Sequence, residues 1–271
     1  MVSESPLGEG WPGAPSVVLW RLESDEVHRV DETGDLQDVR AWASISKTVV
    51  ALAFGVEVDK GLHRFDEQFG PQGATLAHLL SHSSGLGLEE GDRVVPLATK
   101  RIYSNVGVNH AVDVAVGDRD PAEWLDQHVF TPLGLDSSSL QGRPCADVVG
   151  STEDLAALGA AWLRPDVVSR ATRDLMIQPY LADLDGIVPG LGRFSPCWWG
   201  LGPELRGTKR HWMGDWPASS FGHFGKSGSL MLLNAEEQIG LVATSTEPFG
   251  GWSVKLWPEW TSRMRQRILD A

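Results

Sequence analysis

Residues 42–61 read Trp42-Ala43-Ser44-Ile45-Ser46-Lys47-Thr48-Val49-Val50-Ala51-Leu52-Ala53-Phe54-Gly55-Val56-Glu57-Val58-Asp59-Lys60-Gly61. Ala, Val, Leu and Phe fall on almost every face of the helix this stretch predicts, and Gly61 suits its C-terminal cap. A helix apolar all round has no water-facing side and belongs inside a core. Ser44 and Lys47 open it. Positions three apart share a helix face, so the Ser44 hydroxyl and the Lys47 ammonium become neighbours at a buried helix start. A serine hydroxyl is a weak nucleophile until a base takes its proton, and a lysine whose charge is disfavoured by burial can be that base. The helix start also points N–H groups at a developing oxyanion. An N-capping serine followed by a solvated lysine would give the same pattern.

Toward the N-terminus, Val17 to Leu19 and Val27 to Val30 read as strands of a hairpin, with Asp31-Glu32-Thr33-Gly34 supplying turn chemistry. Beyond the apolar helix, Leu76 to Ser81, Asn105 to Val116, Pro121 to Val129 and Thr152 to Trp162 predict further helices. After Pro165 the chain is irregular and rich in Gly, Pro and Trp from Pro189 to Pro217. Strand-like runs follow at Phe221 to Leu233 and Gln238 to Thr244, then a helical tail from about Trp252 to Ala271. Strands at both ends with helices between predict an α/β fold of the α+β kind. One mainly antiparallel sheet (about 16–40 and 198–271) is flanked by helices beside a mainly helical region (about 41–165), all within a single domain, 1–271. A site would lie where the layers meet.

The 271 residues carry 23 Lys+Arg against 36 Asp+Glu, a net charge of −13. That balance argues against nucleic acid and anionic lipid as partners. The longest apolar run, Val49 to Val58, falls short of the roughly 20 residues a bilayer needs. Met1 to Pro15 is acidic and rich in Gly and Pro, so no export signal is read and a cytoplasmic location is expected, with Cys145 and Cys197 as reduced thiols. His78 and His82 stand four apart without the Glu of a zinc motif and are read as structural; no metal or organic cofactor is expected. Gly225-Lys226-Ser227 resembles the end of a phosphate loop, but position 220 is serine where that loop needs glycine.

Two further segments bear on the Ser44–Lys47 pair. Tyr103-Ser104-Asn105 precedes a helix: a tyrosine near a lysine can lose its proton more readily than in water and relay it, and an asparagine can fix the lysine or a substrate carbonyl. Phe221-Gly222-His223-Phe224-Gly225-Lys226-Ser227-Gly228 is a glycine-rich strand, open to close approach by a ligand, with His223 as its polar handle. In order and spacing the three segments resemble the Ser-x-x-Lys, Tyr-x-Asn and Lys-Thr-Gly (or His-x-Gly) elements of the serine β-lactamase and penicillin-binding-protein superfamily. Leu79-Leu80-Ser81-His82-Ser83-Ser84-Gly85-Leu86, Pro132-Leu133-Gly134-Leu135 and Gly150-Ser151-Thr152-Glu153-Asp154-Leu155 resemble further segments of that family. The likeness spans about Val17 to Thr244 and is nearest the class C β-lactamase-like esterase and peptidase branch.

The resemblance implies a β-lactamase/transpeptidase-like fold and a serine hydrolase acting through an acyl-enzyme on a small ester, amide or peptide. It makes Ser44 the nucleophile, Lys47 and Tyr103 the proton-relay pair, Asn105 a positioning group and His223-Phe224-Gly225 the strand motif. The N–H groups of Ser44 and Lys226 would form the oxyanion hole. Lys226-Ser227-Gly228 offers a rival register for the third motif; His223 is preferred because x-Ser-Gly follows it. Phe224, Gly225 and Ser227 are then substrate-binding, and Phe224 stands where a hydroxyl residue is usual, which weakens classical β-lactam carboxylate recognition. Of 12 tryptophans, those of the last third are read either as packing of an irregular segment against the sheet or, over Trp198 to Trp216 with Trp212 and Trp216 as substrate-binding residues, as an aromatic wall over Ser44 favouring apolar acyl groups. Two alternatives remain: an acyltransferase, or a non-catalytic binding protein on the same scaffold. Natural substrate and oligomeric state are not legible.

Overall fold

The computed structural model describes residues 6–164 and 166–271; Met1 to Ser5 of the Met1–Pro15 segment, and Pro165, lie outside the described residues. Strands β1 (Ser16–Glu23) and β2 (Glu26–Thr33) form the N-terminal hairpin. Its turn is Ser24-Asp25, both at positive φ (52° and 67°), the two-residue turn whose twist matches a β-ribbon. Asp31 to Thr33, expected as the turn, continue β2 instead, because β1 offers partners out to the pair Val17 and Thr33. Seven cross-strand pairs override local turn preference.

The C-terminal part supplies four more strands of the same sheet, numbered in chain order: β9 (Glu204–Leu205), β10 (Phe221–Phe224), β11 (Leu230–Asn234) and β12 (Ile239–Thr244). All six pair antiparallel in the order β2-β1-β12-β11-β10-β9. The run read over Phe221 to Leu233 is therefore two strands, and Gly225 to Ser229 turn between them. Two small sheets complete the set: β3 (Arg40–Ala41), β5 (Ser139–Leu140) and β6 (Val148–Gly150), then β4 (Arg101–Ile102), β7 (Gly186–Val188) and β8 (Gly192–Phe194). The Pro189–Pro217 stretch, expected to be irregular, thus contains β8 and β9.

The helices are α1 (Ser46–Asp59), α2 (Leu76–Leu80), α3 (Asn105–Val116), α4 (Pro121–Leu125), α5 (Thr131–Leu133), α6 (Thr152–Leu163), α7 (Arg170–Met176) and α8 (Gly251–Leu269). Their disposition follows from the two-residue period of the strands. In β1, Val18, Trp20 and Leu22 enter the core shared with α1 and α6, whereas Val17 and Leu19 enter the core shared with α8. Every residue of β11 and β12 is buried, as expected of strands covered on both faces. Helix α1 is buried from Ser46 to Glu57, which is why its sequence shows no polar face. Its chain turns away at Gly61, at φ 70°.

Cys145 and Cys197 are buried free thiols. Among the described residues no helix is long and apolar enough to cross a membrane.

Candidate active site

Ser44 lies in a 3-10 turn, Ala43–Ile45, that leads into α1. Ala43 sits at φ 49°, a left-handed conformation unusual for a residue with a side chain, and such outliers persist where the surroundings hold them. Here the hold is visible. Trp42 is fully buried, its N–H donates to Val148 O (2.9 Å) and its indole to Gly150 O (3.1 Å). Ser46 Oγ donates to Ala43 O (2.6 Å) and accepts from Val148 N–H (3.0 Å). On the other side Ser229 Oγ donates to Trp42 O (3.0 Å), and a Cβ on Gly225 would stand 2.3 Å from that oxygen. Gly225 is therefore a close-approach glycine: it lets the end of β10 lie against the Ser44 turn.

Lys47 projects from the first turn of α1 with its side chain buried. Its Nζ lies 3.3 Å from Ser44 Oγ, 2.7 Å from Asn105 Oδ1 and 2.8 Å from Cys145 O. Burial pushes the ammonium down to about 8, against smaller upward effects from Cys145 and Glu89. Asn105 reaches Lys47 because it opens α3, whose N-cap Ser104 accepts from Gly107 N–H at 2.8 Å.

Tyr103 lies over Lys47, with Nζ 4.7 Å from the ring centroid. The expectation that this tyrosine loses its proton more readily is reversed: burial pushes the phenol up, and its hydrogen bond with Ser44 only partly opposes that. Tyr103 is a proton donor at rest. Its hydroxyl lies 3.4 Å from His223 Nε2, and His223 Nδ1 lies 2.7 Å from Phe224 O. A carbonyl only accepts, so Nδ1 carries the proton and Nε2 presents its lone pair to Tyr103. Burial, reinforced by Lys47, lowers His223 to about 4, leaving the ring neutral near pH 7. His82, buried behind Tyr103 with centroids 4.5 Å apart, accepts the Ser104 N–H at Nδ1 (3.1 Å). Its position fits the structural reading of that residue.

Ser44, Tyr103, Asn105, His223, Phe224 and Lys226 line one cavity of about 400 Å³. The Lys226 N–H, expected as the second oxyanion donor, has no hydrogen-bond partner among the described residues. In the rival register, Ser227 Oγ pairs with Ser229 Oγ (2.7 Å) and, like Gly225, does not line the cavity. Of the wall expected over residues 198–216, Trp199 lines the cavity, whereas Trp212 and Trp216 pack as the alternative reading has it. Trp212 and Trp216 are fully buried in the core beneath α8, where Trp212 Nε1 donates to Glu204 (2.8 Å) and Trp216 Nε1 to Thr261 O (2.9 Å). The wall is made by Trp199, Phe224 and Phe249, with Leu88 and Val188. Trp216→Ala should consequently cost about 3 kcal/mol of stability, as large-to-small core changes do, while the preference among p-nitrophenyl ester chain lengths stays unchanged. A shifted chain-length optimum in the folded variant would restore Trp216 to the site.

Glu89 also lines the cavity and was not singled out from the sequence. Its only signal there is the acidic pair Glu89-Glu90 between two glycines, which any solvated loop could carry. Among the described residues no group of three or more metal-ligating side chains is placed to hold an ion.

Comparison with known proteins agrees with this fold. The curated proteins contain no significant match. Among solved structures, a β-lactamase from Mycobacterium bovis is 32% identical, with a TM-score of 0.89 over 96% of this chain and 97% of that one. A D-amino acid amidase from Ochrobactrum anthropi (16% identity, TM-score 0.73, 95% and 94% covered) and a simvastatin synthase from Aspergillus terreus (14%, 0.72, 94% and 91%) share the fold. The family model described as Beta-lactamase matches residues 30–260, a span that contains the Ser44 turn, Tyr103, Asn105 and the His223 strand. With the fold, the order of the three motifs and their convergence on one cavity, this match means that the chain belongs to the beta-lactamase family.

Proposed function

We propose that this chain is a serine hydrolase that forms an acyl-enzyme at Ser44 on a small ester, amide or peptide. The observation that carries the reading is the Ser44 hydroxyl 3.3 Å from a buried lysine lowered to about 8. Near pH 7 roughly a tenth of such lysines is uncharged, and an uncharged Nζ can take the Ser44 proton as Oγ attacks the substrate carbonyl carbon. The oxyanion that develops faces the Ser44 and Lys226 N–H groups. Tyr103, held protonated, donates to the departing alcohol or amine; the proton taken by Lys47 restores it. Water then cleaves the acyl–Ser44 bond and releases the acid.

This scheme fixes a pH dependence. Only uncharged Lys47 serves as base, so kcat/KM for acylation should rise about tenfold per pH unit below the lysine's value and level off above about 8. Stopped-flow release of p-nitrophenol from pH 6 to 9.5 measures it, and an initial burst should appear wherever deacylation is the slower step. A flat profile over that range would remove Lys47 from the role of base.

A further inference from the structure

The cavity carboxylate Glu89 is used by no step above, yet it is tied to the Ser44–Lys47 pair through one side chain. Asn105 Oδ1 accepts from Lys47 Nζ at 2.7 Å, and Asn105 Nδ2 donates to Glu89 Oε1 at 2.7 Å. The two contacts fix the amide's sense. An ionised carboxylate can only accept and an ammonium can only donate, so a flipped Asn105 would set its oxygen against Glu89 and its NH₂ against Lys47. Once Lys47 is uncharged, the state that acts as base, its amine could also accept from an amide NH₂, and Glu89 is then the partner that fixes the orientation.

The loop that carries Glu89 is built onto the start of α3. Ser104 Oγ donates to Gly87 O (2.7 Å) and the Asn105 N–H donates to Leu88 O (3.0 Å). Beyond it, the Glu89 N–H donates to Asp92 Oδ2 (2.9 Å), and a Cβ on Gly87 would stand 2.3 Å from the Asp92 Cβ. Arg143 Nη1 lies 3.3 Å from the second carboxylate oxygen. The carboxylate's place is thus set by backbone on one side and a cation on the other, although half of its side-chain surface faces solvent.

We infer that Glu89 is a positioning residue for the acyl-transfer step: it locks the Asn105 amide so that its oxygen holds the Lys47 amine against Ser44. The inference rests on the proposed acyl-enzyme, and the test separates the two. Single-turnover acylation by a p-nitrophenyl ester is measured across pH for the wild type, Glu89→Leu and Glu89→Gln, with deacylation followed separately. If the wild type forms no adduct on Ser44, the proposed function fails before Glu89 is at issue.

If the wild type does acylate, Glu89→Leu should slow acylation by about 10- to 100-fold, the scale of a misplaced reactive group, with substrate KM little changed. Glu89→Gln keeps an acceptor for Asn105 Nδ2 and should recover most of that rate. Both substitutions remove a negative charge near Lys47 and should move the rising limb to lower pH. Equal loss in both variants, a loss confined to deacylation, or a Glu89→Leu variant that acylates like the wild type would each overturn the assignment. A KM effect limited to cationic substrates would also overturn it, in favour of direct substrate contact.

Discussion

Ser44→Ala should lower acylation by p-nitrophenyl esters by about 10³- to 10⁶-fold, and Lys47→Ala by a comparable factor, because nucleophile and base act as a unit. The double variant should then be hardly slower than either single one. The substitution at Ser44 is clean: the bonds that hold its turn come from Trp42, Ser46 and Ser229, so the fold should survive it. Lys47→Ala leaves Asn105 Oδ1 and Cys145 O without their donor and needs a circular dichroism melt beside the kinetics. Retention of more than a tenth of the rate by folded Ser44→Ala would contradict the assignment.

The largest stability effect is expected on the far side of the Trp199 wall. Glu204 and Lys209 are buried there, with Oε1 to Nζ at 2.7 Å; His211 Nε2 lies 2.8 Å from the same oxygen, and Trp212 Nε1 donates to the other at 2.8 Å. Lys209 also donates to Trp198 O at 2.9 Å and lies 5.5 Å from the Trp199 ring centroid. Burial alone would push the Glu204 carboxyl up, but Lys209 and then His211 outweigh it and hold the group well below the usual carboxylate range. Lys209→Met leaves a buried carboxylate short of its main counter-charge, at a cost of about 3–5 kcal/mol.

For a domain this size that is a fall in Tm on the order of 10 °C. Removing both partners, as Glu204→Leu with Lys209→Met, should be milder than Lys209→Met alone, because no buried carboxylate is left short of its counter-charge. The pH sign follows from the lowered carboxyl: its contribution is complete above the ordinary carboxylate range and is lost as pH falls below it. A Lys209→Met protein melting within 2 °C of the wild type would show that the cluster contributes little.

Much of this architecture was legible because the physics was local. Helix α1 shows itself through apolar residues on every face, and α3 through the helical pattern of Asn105 to Val116. The Ser44, Lys47, Tyr103, Asn105 and His223 side chains meet in one place, and motif order was enough to group them. The failures share a different cause. Turn-forming residues cluster at Asp31 to Gly34, but cross-strand pairing with β1 carries β2 through Thr33 and the hairpin turns at Ser24-Asp25.

Nothing in the tryptophan-rich sequence says whether Trp212 and Trp216 face the site or the core, because which face of the sheet a loop residue covers depends on helix α8, more than 30 residues further on. The sign of the Tyr103 shift depends on burial, which neighbouring letters do not carry. Glu89 was missed for the same reason: only the bonds from Ser104 and Asn105 to its loop bring that carboxylate to the site.

The most direct measurement is intact-protein mass spectrometry after incubation with a fluorophosphonate probe and, separately, a p-nitrophenyl ester, with wild type and Ser44→Ala side by side. The account predicts one covalent adduct on the wild type, mapped by peptide digestion to the Ser44 segment, and none on the variant. An adduct that persists in folded Ser44→Ala, or no adduct on the folded wild type with either reagent, would contradict it.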